Sequence, residues 1–321
     1  MNKYLLPLVC LFLFPLLLLS QSNLTYVPDD NFENYLEANG MGDGIPLNDS
    51  VLTSNIINID TLNVSSLQIS DLTGIEDFSL LTHLNCSFNQ LSSINLSSNS
   101  DLYSLECYYN ILTSLDVSNN LQLSTLFCYH NQIDILDLSN NSNLSNLHCY
   151  SNYLTNLDVS FNSNLSLLYC GWNQLTSVNI SLNYNLSVLD CRYNLLHTLD
   201  VRNGNNSNFT VFASSDNSNL TCISVDDSSY STNNWITGGY FSLDPQQYFS
   251  ANCPSQTFGC TDSLANNYNP FANIDDGSCI YCINDTSFTN IIVCDSILWN
   301  GEFYDSSGVY SFNSYSPFNN Y

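Results

Sequence analysis

Positive charge is almost absent from this chain. Three lysines and arginines stand against 29 acidic residues. Once Lys3 leaves with an N-terminal leader, only Arg192 and Arg202 oppose those 29 acids, a net charge of −27. A surface of that sign argues against nucleic acid and anionic membranes as partners, since both would be repelled at contact. Long apolar runs are also missing after residue 19, and nothing there approaches the ~20 apolar residues needed to span a bilayer. The one such run, residues 5–19, follows basic Lys3 and ends in the small-x-small exit Ser20-Gln21-Ser22. It reads as a secretory signal cleaved after Ser22, which places the mature protein outside the cell or at its surface. Catalytic constellations are absent too. His83, His130, His148 and His197 fall at different points of the chain's repeat. There is no glycine-rich phosphate loop and no histidine pair at metal-ligand spacing. The expectation is a chain that is not an enzyme and has no cofactor.

What is present is a clock. Cysteine recurs at 86, 107, 128, 149, 170 and 191, and asparagine follows three residues after each, from Asn89 to Asn194. The aligned copies read L-x-x-L-x-C-x-x-N-x-L-x-x-L-x-V-S-x-N-x-x, as in Leu102, Leu105, Cys107, Asn110, Leu112, Leu115, Val117, Ser118 and Asn120. A fixed period of about 20 to 29 residues marks a leucine-rich solenoid, whose coils bury their apolar face only by stacking. The two-residue step from Leu105 to Cys107 puts both on the buried face of a short strand. The fold expected is an α/β-type repeat solenoid dominated by β: a curved rod of 21-residue coils with one short parallel strand per coil.

Both ends of the rod are legible. Asp30-Asn31-Phe32-Glu33 is a capping-box pattern opening a helix with Phe32, Tyr35 and Leu36 on one face, and Gly40 stops it. At the other end, residues around Trp235, Tyr240, Phe241 and Tyr248 are expected to fold over the open edge. The domain reading is a signal peptide at 1–22, an N-terminal cap at 23–58, leucine-rich repeats at 59–225, a C-terminal cap at 226–258, a cysteine-bounded module at 259–281 and a truncated β repeat at 282–321. In the last of these, Leu298-Trp299-Asn300-Gly301 carries a hairpin turn and residues 308–312 alternate like a strand.

Leu72-Thr73-Gly74-Ile75-Glu76-Asp77-Phe78, leading into Leu84-Asn85-Cys86-Ser87-Phe88-Asn89-Gln90-Leu91, resembles the secreted leucine-rich-repeat proteins of bacteria related in style to internalins. The likeness covers residues 24 to 253. It implies a cell-surface or secreted binding module with no catalytic residues to carry over. The cysteine in the strand and the lack of a wall-anchoring signal depart from internalins, so host-receptor binding is not implied. Residues 259–279 resemble a short cysteine-bounded module found in tandem in exported bacterial proteins, and residues 282–321 resemble the opening of an adhesin-like β repeat.

Cysteine chemistry divides by position. The six ladder cysteines lie among leucines and read as free thiols, since parallel side-chain vectors disfavour a bond between neighbours. Cys222, Cys253, Cys260, Cys279, Cys282 and Cys294 are an even set in an exported chain and read as disulfides, in sequential pairs. Asn95, Asp116, Asp137, Asp158, Asn179 and Asp200 form a further column, where an Asx-turn explains the residue type. Calcium is a possible ligand there and at Asp262, Asn273, Asp275 and Asp276, whose spacing does not match an EF-hand. No metal is assigned.

A partner would be read on the strand face, which is unusually aromatic. The contact residues expected are Tyr108, Phe127, Tyr129, His130, His148, Tyr150, Tyr169, Trp172, Arg192 and Tyr193, with Phe88, Tyr109 and Ser151 in the same columns. Rings at this density resemble interface cores or sugar-stacking surfaces. The function expected is recognition or adhesion, binding a protein or a carbohydrate at a cell surface. The other reading is a structural spacer whose tyrosines merely stiffen the sheet.

Overall fold

The computed structural model describes residues 23–254, 257, 259–275 and 277–281, together with two strands at 297–299 and 302–304. The expected signal segment, the expected Cys282–Cys294 bond and the expected strand over 308–312 lie outside the described residues. The chain divides into two units, one up to Asn252 and one from Cys253 onward.

The first unit opens with β1 (Leu24–Tyr26), helix α1 (Asp30–Ala38), β2 (Ser50–Leu52) and the single turn α2 (Thr53–Ile56); β1 and β2 pair antiparallel. The coils then supply β3 (Thr61–Asn63), β4 (His83–Asn85), β5 (Ser104–Glu106), β6 (Thr125–Phe127), β7 (Asn146–His148) and β8 (Leu167–Tyr169). They continue with β9 (Ser177–Asn179), β10 (Val188–Asp190), β11 (Thr198–Asp200), β12 (Val211–Ala213) and β13 (Cys222–Ser224). Helix α3 (Ser228–Asn234), β14 (Phe241–Ser242) and β15 (Tyr248–Ser250) complete it. Strands β3 to β8 with β10, β12 and β14 form one nine-stranded parallel sheet, and β9, β11, β13 and β15 form a second of four.

Two strands per coil from Ser177 onward exceed the expected one. Val178, Ile180, Thr198 and Ile223 lie on this back wall, and β-branched side chains favour extended, paired backbone. The segment after Val225 likewise adds a strand to each sheet, through β14 and β15, besides covering the end. Trp235 is buried there and stacks on Phe212 at 4.4 Å.

Register follows the repeat. Leu84, Leu105, Leu126, Leu147, Leu168, Leu189 and Phe212 face one another down the large sheet. Each ladder cysteine sits two residues further on, fully buried, and all six are free. The next coil ends the ladder with Ser214, whose buried hydroxyl donates to Gln247 Oε1 at 2.8 Å. A hydroxyl needs such a partner when buried, whereas a thiol packs as a small hydrophobe. The core is continuous from Val27 to Trp235.

Two asparagine ladders hold coil to coil. In the first, Asn152 Oδ1 accepts from the Ile133 amide at 3.0 Å while its Nδ2 donates to the carbonyls of Cys128 and Cys149, both at 3.1 Å. Asn110, Asn131, Asn173, Asn194 and Asn217 do the same for their coils. The repeat motif includes a second asparagine, with no role evident from sequence, that makes another ladder on the far side through its Nδ2 donors alone. Asn99, Asn120, Asn141, Asn162 and Asn183 are buried, and each donates to two carbonyls of the preceding coil. The column from Asn95 to Asp200 forms the expected Asx-turns, each side chain accepting from the amide two residues on.

Helix α1 begins one residue away from its expected cap. Asp29, not Asp30, accepts from the amides of Asn31 and Phe32, and its other oxygen accepts from the Ser70 amide and hydroxyl and the Asp71 amide. Burial would raise its pKa, but these bonds outweigh that and hold it below the ordinary carboxylate value. Glu33 turns inward, accepting from the Asn48 and Asp49 amides. Gly40 ends the helix in the left-handed region, φ 72°, as expected. Gly74 is required for closeness: a Cβ there would lie 2.8 Å from the Tyr26 carbonyl oxygen.

In the second unit Cys260 and Cys279 are bonded, as expected. Cys222 and Cys253 are also oxidised. β16 (Ile297–Trp299) and β17 (Glu302–Tyr304) pair antiparallel with Trp299 opposite Glu302, either side of Asn300-Gly301.

Candidate functional site: the aromatic strand face

Three columns of side chains stand on the open face of the large sheet. Just after the strands, Tyr108, Tyr129 and Tyr150 stack with ring centroids 4.4 Å apart at each step. At the strands' last residue, Phe127, His148 and Tyr169 follow at 4.3 and 4.6 Å. In the outermost column Phe88, Tyr109 and His130 stack at 4.6 and 4.3 Å, then Ser151 interrupts, then Trp172 and Tyr193 stack at 3.8 Å. The face thus unites the ten expected residues and extends to Phe88 and Tyr109.

Sequence reasoning missed the backbone of the outermost column. Phe88, Tyr109, His130, Ser151, Trp172 and Tyr193 all adopt left-handed conformation, φ 52–55°. That region suits glycine or asparagine, and a bulky residue held there costs about 1–3 kcal/mol. No coil spends a glycine on it. The conformation aims each ring outward, and Phe88, Tyr109, Trp172 and Tyr193 are exposed, Trp172 to 56%.

The face carries little free charge. Arg192 folds back on Asp190, with Nε and NH2 both engaging the carboxylate and the closest contact at 2.6 Å. Beside the second sheet, away from this face, Arg202 does the same with Asp200. Burial lowers the pKa of His130 and brings that of His148 down to about 4. Burial, reinforced by the neighbouring tyrosines, raises Tyr129 and Tyr150. Burial, with Asp190 adding to it, raises Tyr169.

His148 therefore makes a pH prediction. Its folded pKa lies below the ordinary value of about 6.5, so its stabilising effect is complete above pH 6.5 and is lost as pH falls toward 4, where the unfolded chain takes up the proton first. Discounted for partial exposure, the loss is about 1–2 kcal/mol. His148→Phe keeps the stack, and its denaturant-derived stability should fall by that much less between pH 7 and 4.5. Equal losses in both proteins would refute the assignment.

Among the described residues, one acidic group brings three ligand oxygens together: Asp30, Glu33 and Asp49 in the N-terminal cap. It includes none of the residues expected to hold calcium. In the second unit Asp262 Oδ2 accepts from the Tyr281 hydroxyl and Asp275 Oδ1 from the Gly277 amide. No helix among the described residues is long and apolar enough to cross a membrane.

A scan against protein-family models found no match, and a search of curated proteins found none either. Solved structures do match. The functional domain of InlJ from Listeria monocytogenes, described as including a cysteine ladder, is 26% identical over 64% of this chain and 57% of that one, with a TM-score of 0.39. A leucine-rich-repeat protein of Leptospira interrogans is 24% identical over 53% of this chain and 44% of that one, with a TM-score of 0.45. An internalin, inlF, from Listeria monocytogenes is 18% identical over 62% of this chain and 84% of that one, with a TM-score of 0.33. The chain thus spans little more than half the length of the first and less than half of the second.

Proposed function

We propose that this chain is a secreted or cell-surface recognition module that binds a protein or glycan through its aromatic strand face. The observation that carries this reading is the left-handed column, where five of eight coils hold an aromatic ring, the others Ser66, Ser151 and Asp216, at a position that glycine or asparagine would fill at lower cost. Strain retained across successive coils, with the rings turned to solvent, fits selection for contact rather than for stability. The ten residues from Tyr108 to Tyr193 are the proposed contacts, and no enzymatic role is proposed. The alternative is a spacer in a larger surface protein. It draws support from mutual stacking, worth about 0.5–1.5 kcal/mol per pair.

The test is binding of the full chain to an array of surface proteins and polysaccharides, beside a variant with alanine at Tyr129, Tyr150, Tyr169 and Trp172. The expected result is a ligand whose affinity falls at least about tenfold, 1.4 kcal/mol, in the variant while its circular dichroism spectrum is unchanged. No ligand for either protein, together with a lowered melting temperature in the variant, would leave the spacer.

A further inference from the structure

We infer that the face holds one ring-binding slot, above Ser151 between His130 and Trp172, and that a neutral sugar ring fills it. The inference rests on the recognition reading above and names the ligand class.

Interior rings of the stack have both faces occupied. Tyr129 lies 4.4 Å from Tyr108 and from Tyr150, and Tyr109 lies 4.6 Å from Phe88 and 4.3 Å from His130. Such rings offer a ligand only their edges. Ser151 keeps the left-handed backbone of its column, φ 55°, so its side chain projects as the rings do but ends at one oxygen. His130 and Trp172 therefore stand two coil spacings apart, about 10 Å, with one rung missing between them. The column beside it also loses a ring, at Gly171, but there the space is closed: Gly171 is buried, and a Cβ on it would lie 2.9 Å from the Arg192 carbonyl oxygen.

The chemistry of the slot selects its occupant. Two ring faces accept the C–H face of a sugar, and its rim carries the Ser151 hydroxyl, the His130 imidazole and the Trp172 indole N–H. Among the described residues none of these three side chains hydrogen-bonds within the protein, so all are available to ligand hydroxyls. An aromatic side chain of a partner protein would use the ring faces and leave the polar groups idle. Among the described residues no arginine is left to hold a sialate or uronate, because Arg192 is committed to Asp190 and Arg202 to Asp200, and the acidic chain repels anionic sugars.

The test titrates the full chain with neutral gluco-, galacto-, manno- and N-acetylhexosamine oligosaccharides, with sialylated and uronate oligosaccharides, and with tyrosine- and tryptophan-bearing peptides. A neutral oligosaccharide should bind. Ser151→Tyr, which inserts the missing rung, should weaken it at least tenfold with the melting temperature unchanged or raised. Trp172→Ala, which removes one ring face, should weaken it comparably. Presenting the same sugar as a polysaccharide and on a glycoprotein separates the two sources. Neutral-sugar binding untouched by both variants overturns the slot, as does a preference for anionic sugars or aromatic peptides. If no sugar binds while a protein ligand is lost in the four-alanine variant, the slot falls and the face survives. If nothing binds at all, both fall.

Discussion

Asn152→Ala should destabilise the rod by about 2–4 kcal/mol. The side chain is buried, and its removal strands the Ile133 amide, while the carbonyls of Cys128 and Cys149 each lose one of two asparagine donors and keep Asn131 and Asn173. The stranded amide costs about 1–3 kcal/mol and each lost carbonyl bond about 0.5–1.5 kcal/mol, and the three are coupled, so the sum is less than additive. Because the bonds join neighbouring coils, the loss falls on the interface between repeats, the term that makes a solenoid cooperative. Asn143 supplies the control. Its Nδ2 also reaches across a coil, to the Leu121 carbonyl at 3.0 Å, but it does so in solvent. Asn143→Ala should therefore change stability by no more than about 0.5 kcal/mol. Denaturant unfolding of the two variants checks the contrast, and equal small losses would show that water replaces the buried amide.

Alkylation gives the second large effect. In the native protein none of the six ladder thiols should react with iodoacetamide at pH 8, and all six should react once the chain is unfolded. Burial is the cause: it takes the thiols of Cys86 and Cys128 from an ordinary 9.0 up to about 12 and raises Cys107, Cys149, Cys170 and Cys191 as well. A rise of three pKa units leaves about a thousandfold less thiolate, the reactive form, and no reagent reaches a fully buried sulfur without opening. Mass spectrometry counts the adducts. Labelling at the rate of global unfolding is the expected result, and one or two thiols labelling at the rate of a free peptide would disprove the buried ladder.

The large features were legible because they are repeated. A leucine or cysteine that recurs every 21 residues must occupy the same place in each coil, and only a stacked architecture supplies that many equivalent places. Cys260–Cys279 was legible for a different reason, an even cysteine set in a chain whose first residues read as an export signal. What stayed hidden depends on contacts between coils. Asp29 and Asp30 are equally good caps in isolation, and only Ser70 and Asp71, some forty residues away, decide between them. Asn120 stands in the motif as plainly as Asn110, yet its role appears only when the Leu96 and Asn99 carbonyls come within reach. The left-handed turn left no trace because the residues holding it are aromatic, the reverse of the usual signal. The aromatic face itself was visible, but which rings are sandwiched and which are open turns on Ser151 and Gly171, residues that attract no notice in a search for binding side chains.

The first asparagine ladder makes the interior coils interchangeable at their junctions. Each asparagine serves the coil before it and is served by nothing in the coil after except its successor doing the same, so every interior junction repeats the same set of buried bonds. A duplication of 21 residues inside the run would present to both neighbours the surfaces they already meet, and a deletion of 21 would close just as well. Lengths out of step with 21 would break the ladder at one place, as the lengthened step from Asn194 to Asn217 is tolerated only beside the end, where Gln247 and Asp244 satisfy what the irregular coil leaves open. The molecule is built so that its gene can change the reach of the protein one unit at a time without redesigning its core.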